Sequence, residues 1–141
     1  MEKRLGVVTL GVRNLAASRR FYEHGLGWPR DSGTDAIAFY QLGGLVLALY
    51  EWGALAEDAG VSADGEGFRG TTLGYCARSR EEVDAVLAKA KAAGAAIKVS
   101  PRDTFWGGYD GYFADPDGHL WEVLWNPDLR IDAQGGHFLA P

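Results

Sequence analysis

Two stretches of the chain, about residues 4–51 and 70–126, run through the same order of elements, and that repeat limits the folds available. In the first stretch Val8, Leu10 and Val12 alternate with Val7, Thr9 and Gly11, the two-residue period of a strand. Asn14 is placed as a helix N-cap, Leu15, Ser18, Phe21 and Tyr22 recur at helical spacing, and Gly25-Leu26-Gly27 supplies a stop. Residues 36–42 and 45–51 then read as strands joined by Gly43-Gly44, a dipeptide suited to a tight hairpin. From Gly70 the order recurs. Leu73, Tyr75 and Ala77 alternate with Thr72, Gly74 and Cys76, and Ser79 with Glu82 forms a capping box. Val83, Val86, Leu87 and Ala90 make the apolar stripe of the helix that follows, which Gly94 ends before a short strand over 96–99. Residues 105–114 and 119–125 complete a hairpin around the turn Asp115-Pro116-Asp117-Gly118.

The expected fold class is therefore α+β, built of paired βαβββ modules whose curved mixed sheets each carry a helix on one face. Val8, Leu10, Val12, Leu73, Tyr75 and Ala77 are expected to face the helices. Val7, Thr9, Gly11, Thr72, Gly74 and Cys76 fall on the other, concave side, where small side chains leave room for a pocket. Residues 52–69, rich in glycine and acids, read as a linker with at most one helical turn, and residues 127–141 as a loose tail. The whole of 1–141 is expected to be one domain.

Composition narrows the function. The 141 residues are 47% hydrophobic, enough for a real core, and the net charge is −5 with basic residues scattered rather than striped, which argues against nucleic acid. The single Cys76 has no partner for an internal disulfide. No apolar stretch approaches the roughly 20 residues of a membrane span, so no membrane association and a cytoplasmic location are expected.

One carboxylate stands out. Glu122 sits among Leu120, Trp121, Val123, Leu124 and Trp125, and a charge within an apolar strand is seldom kept without a partner, a metal or a task. If the face shared by Leu120, Glu122 and Leu124 were solvated, it would be an ordinary surface residue. Glu51 similarly ends the last strand of the first module. Five aromatics interleave with three glycines and one acid over Phe105–Phe113, and Trp106, Tyr109 and Tyr112 are the rings expected at a cavity, beside Val7, Thr9, Thr72, Cys76 and Glu122. Cys76 lacks a visible positive neighbour and reads as an inert thiol. His24 reads as a helix-end residue, His137 lies in the tail, and His119 reads as a residue that holds the turn after Gly118.

The run Val-Val-Thr-Leu-Gly-Val-Arg-Asn-Leu-Ala-Ala-Ser-Arg-Arg-Phe-Tyr over residues 7–22, with Gly25-Leu26-Gly27-Trp28, resembles the opening of the vicinal oxygen chelate superfamily. The closing Tyr112-Phe113-Ala114-Asp115-Pro116-Asp117-Gly118-His119-Leu120-Trp121-Glu122 is similar to the signature that ends the same group of glyoxalases, bleomycin-resistance proteins and extradiol dioxygenases. The resemblance implies modules curled around cavities and a homodimer. In metal-dependent members it also implies a His on the first strand and a carboxylate on the last strand of each module. Those positions match Val7, Thr72, Glu51 and Glu122 here, so both imidazoles are missing. Two carboxylates alone hold a first-row ion weakly, and no metal or other cofactor is expected. The leading expectation is a metal-independent protein that binds a small apolar or aromatic molecule, as drug-sequestering members do. The alternative is a lyase- or isomerase-like enzyme with Glu122 or Glu51 as general base or metal ligand.

Overall fold

The computed structural model describes residues 6–59, 62–65, 67, 69, 71–133 and 135–139. The chain divides into two compact units, Met1–Arg69 and Gly70–Pro141. Among the described residues no helix is long and apolar enough to cross a membrane.

Unit one is a four-stranded mixed sheet in the order β1 (Val7–Val12), β4 (Leu45–Glu51), β3 (Ile37–Leu42), β2 (Ser32–Gly33), with β1 parallel to β4. Helix α1 (Leu15–Arg19) starts where Asn14 accepts a hydrogen bond from the Ala17 amide, and continues as a π-helix over Arg20–Leu26 until Gly27 turns the backbone to φ 80°. The wider winding places Phe21 and Tyr22 side by side in the core, their rings edge to face at 5.1 Å. Leu10 and Val12, expected on the helix side, are buried with them, as are Tyr40, Leu47 and Leu49 of the neighbouring strands.

The segment read as a linker contains a second helix, α2 (Trp52–Asp58). It lies on the other sheet face: a Cβ on Gly11 would touch the Trp52 ring at 3.2 Å and Leu55 at 3.4 Å. The glycine of β1 thus serves close helix packing, and the expected concave surface of unit one is covered at Gly11 by the chain itself.

Unit two repeats the plan in the order β5 (Leu73–Cys76), β8 (Leu120–Trp125), β7 (Tyr109–Ala114), β6 (Ala96–Asp103), with β5 parallel to β8. Helix α3 (Arg80–Ala92) begins at Ser79, whose side chain accepts from the Glu82 amide, while the Glu82 carboxylate accepts from the Arg78 amide and the Tyr75 hydroxyl. Val83, Leu87 and Ala90 are buried against Phe113, Trp121 and Val123, with the Phe113 and Trp121 rings stacked at 6.1 Å.

Other boundaries also differ from the sequence expectation, among them the start of β7 at Tyr109 rather than Phe105. Strand β6 extends to Asp103, because two irregularities, between Ile97 and Val99 and between Val99 and Arg102, let an edge strand containing Pro101 stay paired. The tail also has structure: β9 (Leu129–Ile131) pairs with β10 (His137–Leu139), and the Arg78 guanidinium donates to the carbonyls of Ile131 and Asp132.

Candidate functional site in the second unit

The site is built on the face of the second sheet opposite α3. Strand register fixes its centre. Glu122 on β8 lies between Gly74 on β5 and Tyr112 on β7. Gly74 puts no side chain beside the carboxylate, and Tyr112 offers a hydroxyl that hydrogen-bonds to it. Burial first, and then that carboxylate, push the Tyr112 hydroxyl up to about 12. Cys76, two residues along from Gly74, has its thiol pushed up by burial and by the Glu122 charge, so it stays protonated and unreactive.

One step further along β7, Asp110 is buried at 5% exposure and faces the same side, since β7 alternates and Asp110 shares its parity with Tyr112. The irregularity in β6 brings Arg102 opposite it, with Nε 3.5 Å from the carboxylate. Beyond Arg102 the chain closes a loop over Thr104–Gly108, held by Thr104 Oγ1 accepting from the Gly108 amide at 2.9 Å and by the Gly107 amide donating to the Thr104 carbonyl. Gly107 takes φ 88°, which favours glycine. A Cβ on Gly108 would overlap the six-membered ring of Trp106, so the indole rests directly on a bare α-carbon. Between this ring and the Glu122–Tyr112 floor is a cavity of about 460 Å³, within the range of small-molecule pockets.

Several expected site residues come together here and others do not. Glu122, Tyr112 and Trp106 line the cavity. Thr72 is exposed just before β5, two residues ahead of the Gly74 that pairs with Glu122, and Cys76 is half-buried two residues beyond it. Tyr109 is a correction: its hydroxyl donates to Asp84 of α3 at 3.0 Å and Arg80 lies over its ring, because its strand parity points it to the helix side. Trp106 belongs to the hairpin loop rather than to a strand.

Val7 and Thr9 belong to unit one, where Val7 is exposed and α2 occupies the neighbouring face. Glu51 is the second correction. Its carboxylate caps α2, accepting from the amides of Gly53 at 3.0 Å and Ala54 at 2.7 Å, and these bonds hold it below the usual carboxylate range. Register also separates it from Glu122. Glu122 pairs with Gly74, five residues before the N-cap Ser79; the residue five before Asn14 is Thr9, which pairs with Ala48. Unit one thus has an alanine where unit two has its carboxylate.

Arg102, Asp103, Thr104, Phe105 and Asp110 also line the cavity and were not among the expected site residues. Asp110 carried the same signal as Glu122, an acid within an aromatic strand. Arg102 carried none, because its direction depends on the irregular pairing of β6.

The donor set is a poor match for a transition ion. Val7 offers only carbon, Thr72 a hydroxyl, Glu51 is committed to a helix cap, and Glu122 remains alone. Among the described residues no three His, Cys, Asp or Glu side chains converge. His119 ties the turn through its backbone: its amide donates to the Asp115 carboxylate at 2.9 Å and its carbonyl accepts from the Asp115 amide.

Paired βαβββ units with an open sheet face define a class of protein, and sequence comparison agrees: the profile of the Glyoxalase/Bleomycin resistance protein/Dioxygenase superfamily matches residues 4–123, and the chain belongs to that superfamily. Among solved structures, a glyoxalase-related enzyme from Fulvimarina pelagi is 36% identical, covering 99% of this chain and 100% of its own at a TM-score of 0.90. A glyoxalase/bleomycin resistance protein/dioxygenase from Nocardioides is 28% identical, covering 89% of this chain and 84% of its own at a TM-score of 0.71. A lactoylglutathione lyase from Agrobacterium tumefaciens, 22% identical, covers 89% of this chain and 96% of its own at a TM-score of 0.67 and shares the fold. No curated protein matches the chain at a significant level.

Proposed function

We propose that this protein binds a small molecule in the cleft of unit two, without a transition ion in the site. The supporting observation is the pairing of a flat apolar wall, Trp106 seated on Gly108, with a polar floor of Glu122 and Tyr112. Such a combination recognises a ligand with one planar apolar face and one hydrogen-bonding group. The test is a thermal-shift and calorimetric screen of planar aromatic compounds, in which hits should lose affinity in Trp106→Ala. A screen without hits, or hits indifferent to Trp106, sinks the reading. Elemental analysis of the purified protein is expected to find no stoichiometric Zn, Ni, Fe or Mn. One equivalent kept through dialysis and lost in Glu122→Ala would overturn the metal-free reading.

A second reading is turnover, with Glu122 as general base on a carbon acid. The Tyr112 hydroxyl on the same carboxylate favours it, because a base and a proton donor would then sit side by side. Glu122→Gln separates the two: a binder loses affinity, whereas an enzyme keeps affinity and loses turnover. Glu51 is left out of this role because each of its carboxylate oxygens accepts from an amide of α2. We also propose a homodimer, since each four-stranded sheet ends in edge strands that a second copy can pair with.

A further inference from the structure

The charges around the cleft are unevenly matched. One basic and three acidic side chains line it: Arg102 against Asp103, Asp110 and Glu122. Asp110 takes Arg102, and Asp103, at the rim, is paired with Arg80 of α3. Glu122 takes only the neutral hydroxyl of Tyr112, and among the described residues no cationic side chain pairs with it. A half-buried carboxylate that has a hydroxyl but no counter-ion is stabilised by any cation that can reach it. The second observation is independent of charge pairing. Gly108 has no side chain, so the six-membered ring of the Trp106 indole packs against its bare α-carbon, and Trp106 is still 36% exposed. An indole face is electron-rich and attracts cations as well as apolar groups. Floor and wall therefore select the same sign.

We propose, on the reading that the cleft binds a small molecule, that its ligands are organic cations: a protonated amine or a cationic heteroaromatic, its charge on Glu122 and its apolar body against Trp106. Gly108 is a positioning residue in this account, because only a bare α-carbon lets the indole lie where the ligand meets it.

The experiment uses the full chain and three probes with one ring system: naphthylmethylammonium, naphthylmethanol and naphthoate, titrated calorimetrically at neutral pH in low and high salt. The ammonium is expected to bind roughly tenfold or more tighter than the alcohol, about 1.4 kcal/mol, with naphthoate weakest. The gap should shrink in high salt, since part of it is screened. Glu122→Gln should remove most of the ammonium's advantage over the alcohol, leaving only the part the indole face supplies. Gly108→Ala, which displaces the indole, should weaken both ligands and narrow their ratio, because the ring face favours the ammonium over the alcohol. Equal binding of ammonium and alcohol by the native chain overturns the cation assignment while the small-molecule reading stands. Binding of none of the three at millimolar concentration removes both. If Glu122→Gln does not fold, the ladder of native affinities and its salt dependence decide the matter alone.

Discussion

Tyr112 and Glu122 face each other directly across β7 and β8, and the hydroxyl of one is hydrogen-bonded to the carboxylate of the other. The pair ties two strands together at the floor of the cleft. Burial, and then this hydrogen bond, push the Tyr112 hydroxyl up to about 12.

That proton gives the first prediction. In the unfolded chain Tyr112 ionises near its ordinary value of about 10, and in the folded chain only at about 12. Its folded value is raised, so the contribution to stability is complete below about pH 10 and is lost as pH climbs toward 12. Tyr75, held by burial and by Glu82 up to about 12, acts in the same window. Ultraviolet titration of tyrosinate should show a late-ionising group that disappears in Tyr112→Phe. In Glu122→Gln the group should ionise earlier but still above the ordinary value, since burial is the larger cause. An unchanged titration curve in Tyr112→Phe would refute the assignment.

Gly111→Ala tests how α3 seats on the second sheet. A Cβ there would come within 2.5 Å of Leu87 Cδ1 and 3.0 Å of the Val99 carbonyl, and one of these neighbours is backbone. The substitution should destabilise by about 1–3 kcal/mol, the usual cost of overpacking a close contact. Urea unfolding followed by circular dichroism measures it, with the midpoint falling and the slope constant. A midpoint equal to that of the native chain would mean that the helix shifts freely.

The two carboxylates at the ends of their modules should behave oppositely. Glu51→Ala removes the cap of α2 and should lower the melting temperature while leaving ligand binding in unit two intact. Glu122→Gln should keep the melting temperature within a few degrees and lower affinity. Parallel differential scanning calorimetry and binding titrations on both variants compare them. A binding defect in Glu51→Ala would contradict its role as a cap.

Oligomeric state is the fourth measurement. The edge strands of the two sheets are β1 and β2 in unit one and β5 and β6 in unit two, and Val7 on β1 is 50% exposed. Light scattering at micromolar concentration should give twice the chain mass. A single-chain mass would overturn the proposed homodimer.

What the sequence determined by itself was whatever depends on near neighbours. Asn14, and Ser79 with Glu82, start helices because their side chains reach amides three residues on, and that geometry needs no tertiary contact. Strand alternation placed Leu10, Val12 and Tyr75 apart from Gly74 and Cys76, and the closing Asp115–Glu122 motif brought family and fold with it. Glu122 was found because an acid among aromatics is costly wherever it lies.

Tertiary structure decided what depends on distant partners. Glu51 had the look of a second site carboxylate, but the chain turned beneath it into α2 and took both of its oxygens; glutamate is an uncommon cap, so no local pattern marked it. Tyr109 went to the helix side because its direction follows hairpin register, which is set across the sheet and reverses with a one-residue change. Arg102 reached Asp110 only through the irregular pairing of an edge strand. The fold was legible because its signals are local and repeated, whereas the site depends on which faces the sheets present after pairing, a property no short window of sequence contains.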